Sequence, residues 1–172
     1  GQVVMVLVMT MTPLHMSDHG HGLAAVGLVI SGHTFGMFAF SPISGRLAGR
    51  FGTPIIIAAG LALSAFSSVL AAVAPPDGGA ILFIALFLLG VGWNLSFVAG
   101  SALLTEGLDG AERTTLQGAT DAMIWSSAAA AALGSGIVVA AASYTALGLL
   151  GAALILFPVL AMVRGRSALR RS

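Results

Sequence analysis

The sequence has no cysteine and no lysine, and only 8% of its 172 residues are charged. Without cysteine the chain has neither disulfides nor thiolate chemistry, and the redox state of its compartment stays open. An ordinary soluble domain has roughly 25% charged residues and roughly 45–50% apolar residues. Here 58% of the residues are hydrophobic. The composition therefore argues against a water-soluble globular domain.

The few charges that are present nearly cancel. Seven arginines and six acids leave a net charge of +1, which argues against a nucleic-acid-binding protein and against a polybasic arm. At a mean hydropathy of +1.03 the chain has more apolar side chains than a core of this size can bury. Much of the surface must then contact lipid. The length allows about six transmembrane helices of about 20 residues each.

Six apolar runs are separated by polar residues, glycine or proline. The first, at about 3–14, is a shortened span, and because the chain enters it directly after Gly1 and Gln2 we expect a fragment of a longer protein. The other predicted spans are about 23–44, 54–74, 80–104, 115–142 and 144–163. The predicted loops are 17–22, 45–53, 75–79, 106–113 and a weak break near Ser143. The expected fold is all-α, a single bundle of six transmembrane helices over residues 1–172.

Arginine predicts the orientation of this bundle. With six spans, every arginine falls on one side, which by the positive-inside rule is cytoplasmic. These residues are Arg46, Arg50, Arg113, Arg164, Arg166, Arg170 and Arg171. The opposite loops carry only Asp18, Asp77 and histidines. We therefore predict a multi-pass protein of the plasma (inner) membrane with both ends cytoplasmic, and this pattern itself requires an even number of spans.

Small residues recur at four-residue spacing in three of the spans. Within lipid, helices associate through small residues that let backbones approach and through hydrogen bonds between helices. The predicted ladders are Gly32 and Gly36; Gly92, Ser96 and Gly100; and Ala128, Ala132 and Gly136. We expect these faces to meet other helices, although 23 glycines also produce such spacings by chance.

Asp121 is the ionisable residue that most favours a functional site, because a charge at the bilayer centre costs roughly 2.5 kcal/mol or more. Arg113, Gln117, Asp121 and Trp125 recur every four residues and so share one helical face. In one interpretation the acid binds a proton or a cation along a solute pathway. In the other it caps a neighbouring helix or pairs with an arginine.

Two further polar residues lie within predicted spans. His33, beside Ser31 and Thr34, either titrates or binds substrate, or makes a hydrogen bond between helices. Asn94, beside Trp93, either lines a cavity or joins two helices. His15, Asp18, His19 and His21 precede or lie within the first loop, but no third ligand stands at a recognised spacing, so we predict no metal site and no cofactor there or elsewhere.

The segment 45–54, Gly-Arg-Leu-Ala-Gly-Arg-Phe-Gly-Thr-Pro, resembles the cytoplasmic-loop signature of the major facilitator superfamily, Gly-x-x-x-Asp-Arg-x-Gly-Arg-Arg. Gly45, Arg50 and Gly52 coincide, whereas Gly49 replaces the acid and Thr53-Pro54 replaces the basic pair. Residues 9–16, 36–42 and 112–121 also look like members of this family. The resemblance implies helices seven to twelve of a twelve-helix transporter, whose other half is absent.

That resemblance assigns a gating role to the loop, with Gly45, Arg46, Arg50, Gly52 and Arg113 as its residues. A contact of Arg46 or Arg50 with an acid of the other cytoplasmic loop would tie the two loops together; the candidate acids are Glu106, Asp109 and Glu112. The implied partners are the lipid bilayer, the missing six-helix half and a small-molecule substrate.

The leading functional hypothesis is secondary active transport of a small solute by alternating access, with proton-coupled efflux as one form of it. The alternative is a self-contained six-helix subunit of a permease or channel that works as a dimer or with a partner. An intramembrane enzyme is disfavoured, because no motif marks a serine near His33 as an activated nucleophile.

The predicted topology can be tested with single cysteines, since the chain has none of its own. In intact cells we expect Ser172→Cys to be protected from a membrane-impermeant maleimide. Asp77→Cys, in a loop on the opposite side, should react. Labelling of the C-terminal tail from outside the cell would overturn the topology and, with it, the transporter hypothesis.

Overall fold

The structure, a computed structural model, describes residues 1–75 and 77–169, with side chains described up to residue 162. These residues form helices and no strand. The helices are α1 (Gln2–Asp18), α2 (Leu23–Phe38), α3 (Ser41–Phe51), α4 (Thr53–Ala72), α5 (Gly79–Leu104), α6 (Gly110–Ala141), α7 (Tyr144–Leu154) and α8 (Leu156–Leu169). The arginine cluster at the end of the chain is described only in part, because Arg170 and Arg171 lie outside these residues.

Five helical stretches of the described residues are long and apolar enough to cross a membrane. They are Leu23–Phe51, Thr53–Ala72, Gly79–Leu104, Gly110–Ala141 and Tyr144–Met162. They correspond to the second to sixth predicted spans. The first predicted span is the 17-residue helix α1, which at about 1.5 Å per residue is shorter than the hydrocarbon core of a bilayer. The predicted all-α membrane bundle is confirmed.

The second predicted span begins at Leu23 as expected, but its predicted end and the predicted loop after it are wrong. The span breaks at Ala39 and Phe40, and most of the predicted loop 45–53 is helical as part of α3. Pro42 lacks a backbone N–H and cannot continue α2, but it fits the first turn of a new helix. Gly52, with φ of 91°, then ends α3. The loop motif therefore lies mainly on a short helix.

Two other boundaries follow from side-chain caps. Asp109 accepts a hydrogen bond from the Glu112 backbone N–H at 2.9 Å, so α6 begins at Gly110 and the predicted loop 106–113 is shorter than expected. Ser143 accepts one from the Ala146 N–H at 3.1 Å, which confirms the break predicted there. The last predicted span has an additional break at Ile155. Pro158 explains it, because it offers no N–H to a carbonyl four residues earlier.

Helix α5 forms the middle of the bundle, with α2 packed on one side and α4 on the other. A Cβ atom at Gly36 would lie 2.6 Å from the Phe87 carbonyl oxygen, and one at Gly60 would lie 2.6 Å from that of Gly92. Residues of all three predicted ladders contact other helices: Gly32, Gly36 and Gly92 do so closely, and Ala128 and Ala132 pack in the main apolar cluster. A methyl group added at Gly100 or Gly136 would have no atom within 4 Å, so these two positions do not contact another helix.

Helices α1 and α6 differ sharply in burial. Val4 through Val8 of α1 are all buried, and α1 packs against α5, α6 and α7. By contrast, α6 packs mainly against α1, through its second half. Only Ala128, Ala131 and Ser135 of its 32 residues are buried. One long face of α6 is therefore unpartnered in this bundle.

Gly90, which the sequence ladders did not include, should be among the least replaceable residues. A Cβ atom there would overlap the His33 carbonyl oxygen and lie 3.0 Å from the Met37 backbone nitrogen. We expect Gly90→Ala to destabilise the detergent-solubilised protein by about 1–3 kcal/mol, measured as a lower midpoint of thermal unfolding. Gly100→Ala is the matched control on the same helix, because open space surrounds it. Equal midpoints for both variants would contradict the close contact of α2 and α5.

Candidate functional site

The four residues of the predicted stripe lie on the first half of α6. Arg113, Gln117, Asp121 and Trp125 are all exposed, and the Trp125 side chain is 61% exposed. Within the described residues, Asp121 has neither a hydrogen-bond nor an ion-pair partner. The structure thus brings three candidates for the solute pathway, Gln117, Asp121 and Trp125, together on one open face.

Thr120, the neighbour of Asp121, shows which end of the bundle this stripe lies near. Thr120 and Ile124 line a cavity together with Gly100 and Ser101, which belong to the last turns of α5. Asp121 therefore lies level with the end of α5, on the side predicted to be cytoplasmic.

The cavity beside Thr120 has a volume of about 420 Å³ and a largely apolar wall that includes two aromatic rings. The Trp93 and Phe97 rings stack with their centroids 4.5 Å apart. The Trp93 indole N–H donates to the Gln2 side-chain oxygen at 2.6 Å, while the Gln2 side-chain nitrogen is buried with no partner among the described residues. Such a wall combines apolar surface with one amide donor, as small-molecule sites commonly do.

His33 lies apart from this face, in the contact between α2 and α5. Its side chain is 1% exposed, and Nδ1 lies 2.8 Å from the Leu86 carbonyl oxygen. Because a carbonyl can only accept, Nδ1 must carry the hydrogen. Nε2 is then a buried acceptor without a partner in the described residues. The imidazole joins two helices, as one of the two sequence interpretations proposed.

Asn94 also lies in the contact of α5 with the α2–α3 segment, and its side chain is 1% exposed. Its amide nitrogen donates to the Met37 carbonyl oxygen at 2.6 Å and to the Ser41 hydroxyl at 2.8 Å. The neighbouring residue Trp93 lines the cavity. The structure therefore does not bring His33 and Asn94 together with the α6 residues.

The loop motif at 45–54 is arranged differently from the expectation. Arg46 and Arg50 are exposed, and the Arg50 guanidinium lies 5.3 Å from the centre of the Phe51 ring. In the described part of the chain neither arginine forms an ion pair, so the suggested contacts with Glu106, Asp109 or Glu112 are absent.

The helical form of the motif explains this difference. Four small residues of the motif line a groove against the end of α5 that also contains Glu106; they are Gly45, Ala48, Gly49 and Gly52. Arg46 and Arg50 do not line it. On a helix the small residues and the two arginines lie on different faces. An irregular loop, as the sequence predicted, has no such regular faces.

A polar contact at the opposite end of the bundle was missed by sequence reasoning. The Thr12 hydroxyl lies 2.7 Å from the Tyr144 hydroxyl, and the His15 ring stacks on Tyr144 with centroids 4.1 Å apart. These contacts join α1 to α7, although Thr12 and Tyr144 are 132 positions apart in the chain. The only available signal was that Tyr144 is the single tyrosine. No group of three or more His, Cys, Asp or Glu in the described residues is placed to hold a metal ion.

Comparison with known proteins gives a consistent result. The family model described as Major Facilitator Superfamily matches residues 2–171. The uncharacterized MFS-type transporters YdeG and YddS of Bacillus subtilis (strain 168) are 46% and 45% identical over 96% and 92% of this chain. The riboflavin transporter RfnT of Brucella anthropi is 35% identical over 93% of it.

The aligned region is only part of each relative. It covers 39% of YdeG, 37% of YddS and 38% of RfnT, so the chain spans about two fifths of the length of these proteins. The helical bundle, the loop motif and the family match over nearly the whole sequence agree. The chain belongs to the Major Facilitator Superfamily and corresponds to part of such a transporter.

Proposed function

We propose that the chain is the C-terminal half of a secondary active transporter, which moves a small solute by rocking against a second six-helix bundle. The observation that carries this proposal is the unpartnered face of α6. It presents Asp121 and, one turn further along the same face, the large apolar side chain of Trp125, which is 61% exposed. A face of this mixed kind fits neither lipid alone nor water alone.

The Asp121 side of this face is more stable in contact with water or protein than in contact with lipid. A carboxylate facing lipid costs up to roughly 2.5–3.5 kcal/mol, depending on depth. The apolar residues further along α6 gain by contact with protein or lipid. A second bundle that covers the apolar part and leaves a wet passage beside Asp121 satisfies both requirements. This is the arrangement that alternating access needs.

In this proposal Gln117, Asp121 and Trp125 form the inner mouth of the pathway, and Asp121 takes up the coupling proton or cation. His33, with its unpaired buried Nε2, is the second candidate for a proton site. The loop residues Gly45, Arg46, Arg50, Gly52 and Arg113 act in gating at the same side. The protein lies in the plasma membrane with both ends cytoplasmic, and it works in efflux.

Riboflavin is the first solute to test, because the relative RfnT carries that name. The stacked Trp93 and Phe97 rings and the Gln2 amide give the cavity wall a surface that suits a planar heterocycle. The substrate class proposed is thus a small, partly aromatic solute.

The role of Asp121 can be tested by flux into vesicles that contain the full-length transporter. We expect Asp121→Asn to lower riboflavin flux about tenfold or more and to remove its pH dependence, since the amide cannot take up a proton. Asp77→Asn, in a predicted outer loop, is the control and should leave flux unchanged. Unaltered flux and pH dependence in Asp121→Asn would eliminate this residue as the coupling site.

The proposed exposure of the inner mouth can be tested separately with cysteines. We expect Asp121→Cys to react with a water-soluble maleimide in inside-out vesicles, because a thiol reacts as the thiolate, which needs water. His33→Cys is the buried comparison and should be protected. Protection of both positions would place Asp121 in a dry interface. Flux by vesicles containing residues 1–172 alone would instead favour the self-contained subunit.

A further inference from the structure

The break between α2 and α3 leaves backbone carbonyl groups that need other partners. Pro42 has no N–H to offer to the Phe38 carbonyl. The Ser41 hydroxyl donates to that carbonyl at 3.0 Å. The Met37 carbonyl, at the end of α2, accepts from the Asn94 amide at 2.6 Å. A side chain of α5 thus completes the hydrogen bonding of a helix end on the neighbouring segment.

Asn94 contacts both sides of the break at once. Besides Met37 of α2, its nitrogen donates to the Ser41 hydroxyl at 2.8 Å, and its oxygen accepts from the Ser44 hydroxyl. Ser41 and Ser44 lie in the first turn of α3. Both amide hydrogens and the amide oxygen are therefore used. Asn94 and Ser44 are each 1% exposed, so no water competes for these bonds.

The helix that Asn94 holds carries the cytoplasmic loop motif. Helix α3 runs from Ser41 to Phe51 and includes Arg46 and Arg50. It packs against α5 and α4 through a small cluster that contains Ala48, Ile56 and Ala99. Leu47, Ile57 and Leu95 are partly buried and pack against it, so this contact is apolar. The bonds at the break are the main polar restraint on this helix.

We propose that Asn94 is a positioning residue, a latch that fixes α3 relative to α5, and that the Ala39–Phe40 break is the hinge about which α3 moves when the latch opens. The latch rests on the geometry of these contacts. Its use in gating rests on the proposed function, because only then does α3 have to change position during transport. Asn94 then acts on the loop motif without touching solute.

The latch can be tested by thiol labelling of purified full-length protein, without any transport assay. Ala48→Cys places a thiol on the buried side of α3, where Ala48 is 5% exposed. Residues 1–172 have no other cysteine, and any cysteine in the rest of the full-length protein is first replaced by serine. The labelling rate of this thiol reports how often α3 leaves α5. Each lost hydrogen bond should raise this labelling rate about fivefold. We therefore expect Ser44→Ala, which removes one bond, to raise the rate about fivefold, and Asn94→Ala, which removes several, to raise it more.

Two controls separate hinge opening from general loss of stability. Ala71→Cys, on α4 and 1% exposed, should label at an unchanged rate in every variant. Ser67→Ala removes an equally buried hydroxyl that bonds only within its own helix, to the Leu63 carbonyl, and should leave Ala48→Cys labelling unchanged. Selective acceleration at position 48 supports the latch.

Two results would overturn it. Equal acceleration at positions 48 and 71 in Asn94→Ala would show that the residue only stabilises the bundle. An unchanged rate at position 48 in folded Asn94→Ala would show that α3 is held by other contacts. If Asn94→Ala does not fold, the labelling rates at positions 48 and 71 are compared in the milder Ser44→Ala variant, and the same two results would overturn the latch. Neither result depends on whether the protein transports riboflavin.

Discussion

Close contact between helix backbones is the constraint on which the rest of this structure depends. Helices in lipid gain little by burying apolar side chains against each other, so contact area must come from backbones that approach closely. Helix α5 meets this need on two sides. Gly90 lies against His33 and Met37 of α2, and Gly92 lies against α4. The other helices are arranged around these two contacts.

The same dry environment explains where the buried polar side chains lie. Backbone groups without a partner are costly away from water, so broken helices require side-chain donors and acceptors nearby. At the α2–α3 break Ser41 and Asn94 meet that requirement. A polar residue in this bundle is therefore not by itself a sign of a solute site. Asp121 differs from these residues, because its carboxylate has no hydrogen-bond or ion-pair partner among the described residues.

The two ends of the bundle combine these effects in different ways. At the predicted outer end, Thr12, His15 and Tyr144 join α1 to α7 through a hydrogen bond and a ring stack. At the predicted inner end, small residues of α3 leave a groove beside Glu106, and the first half of α6 is exposed. The predicted outer end is thus joined by side chains, whereas the predicted inner end has more open surface.

Apolar runs and local sequence signals were sufficient to predict the helical membrane bundle and the break at Ser143. They also predicted the shared face of Gln117, Asp121 and Trp125. Each of these features follows from local periodicity or local hydrogen bonding. The helical form of the loop motif was not predicted. Its glycines and arginines are typical of a polar loop, although Pro42 fits the first turn of a helix. The partners of His33, Asn94 and Tyr144 were decided only by the tertiary structure. Periodicity defines which way a side chain points on its helix, but the group it meets comes from another helix, at a depth and angle that packing alone determines.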